Sequence, residues 1–316
     1  MKKLIKCVAA SALALTMSAG VQAADVVIAV PNWVSATAMA HILKTVVEDN
    51  LGLDVELQNG TNPIIFEAME KGTMDVHPEV WLPNQANLHQ TYVKDKGTVT
   101  MNPNAVISFQ GMCASNETAE KYDFRSISDL NDPDKAKLLD TDGDGKGELW
   151  VGATGWASTN VEYIRAKSYG YDQTLELLEM DETLALAKLD AAIKQGKPYV
   201  GLCWTPHHMF TIYDLTVLKE PAHDPAKWNV TQPTDNPDWL NMSSAPVAWA
   251  DTYLHIHYAK SFETRQPEAA QIIKSVKLNT DHVSAMVYAI TVEKQDPAEF
   301  AKKWVAENAD LVDSWL

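Results

Sequence analysis

Residues 26–30 read Val-Val-Ile-Ala-Val, a run of apolar side chains with no polar face. A strand with no polar side must be covered on both faces, which is the situation of parallel sheets whose crossover helices lie above and below. The next segment supplies such a crossover: residues 36–48 carry Met39, Ile42, Leu43 and Val46 at helical spacing, and Gly52 and the strand-like residues 53–57 follow. Residues 63–71 predict a second helix stopped by Gly72, and residues 75–81 a further strand. Strands are expected again at 106–109, 199–204 and 253–258, helices at 174–194, and an almost wholly helical tail from Pro267 to Leu316. This order places the chain in the α/β class. With 316 residues, 46% of them hydrophobic, it can bury two cores, so an α/β protein of two lobes with a cleft is expected. There is no repeat of fixed period and no low-complexity linker, which disfavours a solenoid or an adhesive array.

The amino terminus reads as an address. Lys2, Lys3 and Lys6 precede an apolar stretch at 7–19 that is too short to span a bilayer, and Val21-Gln22-Ala23 is a small-residue cleavage site. Residues 1–23 are therefore expected to be a cleavable signal peptide, with a mature chain from Ala24 in the periplasm. Cys7 leaves with the signal, without the upstream residues a lipoprotein site needs. Cys113 and Cys203 remain, and two readings stand for them: a disulfide, which an oxidising compartment permits, or two buried thiols. The net charge is -16, and loss of the three lysines deepens it. Phosphate binding runs on clustered Lys and Arg, so nucleic acid and anionic membrane surfaces are excluded as partners.

Three of the ten Trp follow strand-like or glycine-rich segments and are expected at loop positions: Trp81, Trp156 and Trp204. In open α/β sheets ligands bind beyond the carboxyl ends of the strands, so side chains there serve a ligand better than a core. Converging indole faces suit a quaternary ammonium, whose methylated charge donates no hydrogen bond and is held by ring quadrupoles at about 0.5–2 kcal/mol per face. Core or rim packing is the plainer reading for any single one of them.

Taken in order and spacing, Val30-Pro31-Asn32-Trp33-Val34-Ser35, Val80-Trp81-Leu82-Pro83, the acidic run 140–147, Gly155-Trp156 and Trp204-Thr205-Pro206 resemble the periplasmic glycine betaine-binding proteins of osmoprotectant ABC importers. The resemblance covers essentially the whole mature chain. It implies a type II periplasmic binding protein with a hinge, an aromatic box of Trp81, Trp156 and Trp204 for the trimethylammonium group, and a membrane permease as partner. It also implies that a ligand carboxylate meets the backbone amides of Ala157 and Ser158 and a His four residues after the first box Trp, a position held here by Gln85. The disulfide that these relatives carry across the second Trp loop has no counterpart, since its positions read Gly152 and Ser158. Glu79, two residues before Trp81, is expected to share a strand face with it, because side chains alternate with period two. An acid there favours a bare cation over a carboxylate, which brings choline, trimethylamine N-oxide and dimethylsulfoniopropionate in beside glycine betaine. The expected lobes are 24–108 plus 248–316, and 109–247, in a monomer.

Asp140, Asp142, Asp144 and Glu148 occupy positions 1, 3, 5 and 9 of an EF-hand-type loop, with Lys146 at the carbonyl position 7 and Gly145 at the turn. Position 12, normally a bidentate Glu, is Val151. Two readings stand for this loop, a structural calcium and a solvated acidic turn; no cofactor is required. A metal-dependent periplasmic hydrolase is the rival class. His77, His207-His208 and His255-x-His257 are its candidate ligands, and the last pair is expected on one strand face, yet no HExxH or carboxylate dyad accompanies them.

Overall fold

The computed structural model describes residues 24–316. The expected signal peptide at 1–23 lies outside the described residues. Ten strands are present: β1 Val26–Val30, β2 Val55–Asn59, β3 Val76–Leu82, β4 Val99–Met101, β5 Val106–Ser115, β6 Gly147–Gly152, β7 Leu175–Glu179, β8 Val200–Thr205, β9 Leu215–Val217 and β10 Thr252–Ala259. They run in the order β2-β1-β3-β10-β5-β8-β6-β7, with β4 on β10 and β9 on β5.

The order contains the same unit twice. β1 is paired in parallel with β2 and β3, and helices Val34–Leu51 and Asn62–Lys71 connect them. β6 is paired in parallel with β7 and β8, through helices Ala157–Tyr169 and Glu182–Lys194. Over most of its length the duplication leaves no trace in the sequence, because it conserves topology and the residues at a few strand ends. β10 and β5, both antiparallel to their neighbours, join the two units. Within β5 the ladder changes partner: Val106, Ile107 and Ser108 pair with β10, and Phe109 to Ala114 with β8.

Local chemistry sets these elements. Helix Val34–Leu51 buries Ala36, Met39, Ile42, Leu43, Val46 and Val47, and ends at Gly52, whose φ of 64° only glycine adopts without strain. Helices Thr280–Thr291 and Pro297–Glu307 pack on its outer side. Residues 174–194, expected as one helix, are instead β7 followed by a helix. The break is Met180-Asp181, where the Asp181 side chain accepts from Thr183 N–H and starts the helix. Leu175 to Glu179 serve as the parallel edge partner of β6, so tertiary pairing overrides the helix propensity of a Leu- and Glu-rich stretch.

The open cysteine question resolves as a disulfide. Cys113 on β5 and Cys203 on β8 are bonded with Cα atoms 5.8 Å apart, across a separation of 90 residues. His77, His255 and His257, three of the five candidate zinc histidines, are engaged by neighbours within the fold. His77 Nε2 lies 2.8 Å from Asn62 Oδ1. His257 Nε2 meets His89 Nδ1 at 3.0 Å, while His255 Nδ1 turns to the Asn102 carbonyl at 3.1 Å. An irregularity of the β3–β10 register falls between His255 and His257, so the pair does not present two nitrogens to one point. Burial holds His77 neutral, lowering it to about 3.

Two outcomes follow for stability. Replacing both Cys113 and Cys203 by Ser should lower stability by about 2–4 kcal/mol, since the cross-link no longer restricts a long loop of the unfolded chain. Thermal melts of oxidised, reduced and double-Ser protein check it: the last two should coincide, below the first. His77 has a folded pKa below its unfolded value, so its contribution is complete above about pH 6.5 and is lost as pH falls toward about 3. Urea unfolding at about pH 7 and about pH 4.5 should show that loss, and His77→Gln should make it shallower by about 2 kcal/mol.

Candidate ligand-binding site

Parallel strands send their carboxyl ends to one edge, and the two units of the sheet present these edges to each other. Trp33 follows β1 and is the N-cap residue of helix Val34–Leu51; Trp156 follows β6 and is the N-cap residue of helix Ala157–Tyr169. Trp81 and Trp204 are the penultimate residues of β3 and β8. Trp81 and Trp204 were expected in loops; they stand inside the strand ends, where the ladder fixes their direction. Each is followed by an X-Pro peptide in cis, at Leu82-Pro83 and Thr205-Pro206. The same number of residues separates Trp33 from Trp81 as Trp156 from Trp204.

All four indoles line one cavity, with room of about 40 Å³ for the centres of water-sized molecules. Trp156 packs edge-on against Trp33 at 6.4 Å between ring centroids and against Trp204 at 5.6 Å, with interplanar angles of 86° and 88°. Perpendicular neighbours turn faces, not edges, toward a shared space, which is the arrangement that presents π-density to a cation. Trp150 supports Trp156 and Trp204 from behind at 6.2 and 5.8 Å.

Between the rings the wall is polar but carries no lysine or arginine among the described residues. Ala157 and Ser158 line it from the first turn of their helix, whose N-cap, Trp156, offers no side-chain acceptor. Their free N–H groups and the helix dipole form a place for an anionic oxygen. Gln85 lines the cavity with its Oε1 buried and unpartnered. Asn84 and Gln110 pair their amides at 2.9 Å in both directions beside it.

The structure thus brings together Trp81, Trp156, Trp204, Ala157, Ser158 and Gln85. It does not bring Glu79 to the wall. Glu79 lies behind the rings, where its Oε1 accepts from Trp33 Nε1, Trp81 Nε1 and Ser35 Oγ at 2.8, 2.7 and 2.8 Å. Glu79 does meet Trp81 on one strand face, and the indole N–H edges of Trp81 and of Trp33, from a different element, both reach it. Burial pushes its carboxyl up to about 7 in spite of these three donors.

Sequence reasoning missed seven members of the wall, Trp33 and Glu182 among them. Trp33 stands in the segment that carried part of the resemblance, and its position directly after the first strand was the available signal. Glu182 had none, because its role arises across the cleft. Its Oε1 is 3.0 Å from His207 Nε2, and its Oε2 accepts from Val34 N–H of the opposite unit at 3.2 Å. That contact supplies the acceptor which Trp33, as N-cap, cannot. Other bonds cross the same gap: Asn32 Nδ2 to the Thr154 carbonyl at 3.2 Å, Trp156 Nε1 to the Asn32 carbonyl at 3.4 Å, and Asn87 Nδ2 to Asp235 Oδ1 at 2.9 Å. The two units are clasped over the cavity.

In the acidic loop, Asp140, Asp142 and Glu148 place carboxylate oxygens within 4.8 Å of one another. Asp144 stands outside that group, its Oδ1 accepting from Lys146 N–H at 2.8 Å. Gly143 and Gly145 take φ values of 85° and 94°, and their N–H groups both bond to Asp140.

Residues 24–307 match the family described as the substrate binding domain of the ABC-type glycine betaine transport system. The chain is 27% identical to the trimethylamine N-oxide-binding protein of Pelagibacter ubique, over 98% of both chains. Among solved structures it is similar to the glycine betaine/L-proline-binding protein of Borrelia burgdorferi, at 21% identity and a TM-score of 0.71, over 92% of this chain and 96% of that one. It is also similar to lactococcal OpuAC in its closed form with glycine betaine, at 22% identity and a TM-score of 0.68, over 92% and 98%. The twofold α/β unit, the crossing strand and the clasped cleft are the type II periplasmic binding protein fold, and the chain belongs to the substrate-binding family of ABC-type glycine betaine transport systems.

Proposed function

We propose that this protein is the substrate-binding component of an ABC importer for a methylated onium osmolyte of the glycine betaine type, which it carries to a membrane permease. The observation that carries the reading is the convergence of four indoles on one cavity with no lysine or arginine in its wall. A fixed cation that donates no hydrogen bond is held by ring faces, and it loses less on leaving water than an ammonium does. The lobes, 24–108 plus 248–316 and 109–247, close about the crossing of β5, and the bonds made by Asn32, Asn87 and Glu182 hold the closed form. Residues 1–23 direct the chain to the periplasm, where it works as a monomer.

Within this class the wall supports two readings. The uncapped amides of Ala157 and Ser158 suit the carboxylate of glycine betaine or dimethylsulfoniopropionate. Glu182, inside the wall, together with a neutral Gln85, suits choline or trimethylamine N-oxide, and a relative over the full length is a trimethylamine N-oxide-binding protein. Calorimetric titration with these four compounds orders them. For the ligand that binds best, Trp→Ala at 81, 156 or 204 should weaken binding by about 1–3 kcal/mol, and Phe by less. Unchanged affinity in two of the three would remove the aromatic box.

We further propose that Asp140, Asp142 and Glu148 hold a structural calcium ion, which their hard oxygens and the glycine turn fit. Calcium should raise the melting temperature relative to chelator while onium affinity stays the same, because an ion bound only by the folded loop stabilises the fold. Coincident melts with calcium and with chelator would refute the site.

A further inference from the structure

Glu79 is 3% exposed and borders the box without entering it. Three donors share its Oε1, two of them the N–H edges of Trp33 and Trp81, whose rings line the cavity. Its Oε2 is buried with no partner at all. We propose that Glu79 is the counter-charge of the onium site, acting on the cation through two indole rings and giving up a proton to solvent as the cation enters. This rests on the onium reading above.

The argument is electrostatic. An indole N–H donated to a carboxylate is polarised toward it, and hydrogen-bonded groups in a low-dielectric interior polarise one another. Electron density shifted into the ring strengthens the negative face that meets the cation. The negative charge itself sits just beyond the rings, where water does not screen it. In the empty cavity burial opposes that charge and raises the carboxyl to about 7, and Glu182 pushes the same way from the opposite unit. The bare Oε2 is the seat of the proton. A fixed cation in the box reverses the balance, so binding and ionisation favour each other.

The neighbours leave this role to Glu79. On its own strand, His77 accepts the Glu79 N–H at 3.3 Å and is held neutral by burial. Helix Val34–Leu51 presents Ser35 and Met39, neither of which ionises. From β10, His255 borders the same small cavity behind the box, with its Nδ1 on the Asn102 carbonyl. Across the cleft, Glu182 is tied to His207.

The test is calorimetry of choline and of glycine betaine between about pH 5.5 and about pH 8, each in two buffers of different ionisation enthalpy. Affinity should rise with pH, about tenfold for each unit by which the cation lowers the Glu79 pKa, and near neutrality binding should release a fraction of a proton. Glu79→Gln keeps an acceptor for the three donors; it should weaken binding about tenfold and abolish both the pH dependence and the proton release. Tight wild-type binding that is flat in pH, with no proton released, overturns the inference and leaves the onium reading standing. Proton release that persists in Glu79→Gln overturns it equally. Failure of wild type to bind these probes and also trimethylamine N-oxide and dimethylsulfoniopropionate overturns the onium reading itself. Where the variant does not fold, wild-type binding that is flat in pH with no proton released still overturns the inference.

Discussion

Parallel pairing is the constraint on which the rest of this structure depends. A parallel strand must be followed by a crossover, so each strand end becomes a short turn into a helix, and all such turns lie on one edge of the sheet. Here two edges of that kind face each other because β5 leaves one ladder for the other between Ser108 and Phe109. The rings, the amides of Ala157 and Ser158, and Glu182 are all consequences of that placement. None of them has to be brought to the cavity by a long loop.

The alternation of strand and helix was legible because burial on both faces leaves continuous apolar runs such as Val26 to Val30. The three expected box residues were legible because each stands in a short local motif at a strand end. Legibility failed where long-range contact decides. Residues 175–179 have side chains that suit a helix, and they are a strand because β6 has a free edge. Whether Cys113 meets Cys203 depends on the register of β5 on β8, which no local pattern contains. Glu182 looks like an ordinary first-turn acid until the opposite helix arrives with an uncapped Val34 amide. Glu79 was read as a wall residue from strand alternation alone; its partners come from three positions, and the indole of Trp33 takes the place expected for a ligand.

The proposed site would let a strongly acidic protein hold a cation without a simple ion pair. Two carboxyl groups are near, and each is committed: Glu79 to three donors, Glu182 to His207 and Val34. Glu182 has partners on both oxygens without the ligand, whereas Glu79 leaves Oε2 bare, and burial, which favours its proton, spares the empty site the cost of an isolated buried charge. What the ligand meets directly is mostly aromatic surface and backbone, both rigid and already in place. Little ordering remains to be done when it binds.

The duplicated unit has a geometric consequence. Trp33 and Trp81 belong to one half and Trp156 and Trp204 to the other, so neither half encloses a cation by itself. The ligand is therefore the spacer that sets the distance between two rigid jaws. In the proposed site a cation of larger or smaller girth, gripped by the same four rings, would change the angle between the jaws. On that proposal the outer surface of the closed protein would be a gauge of what is inside, one that a membrane partner would read without touching the cargo.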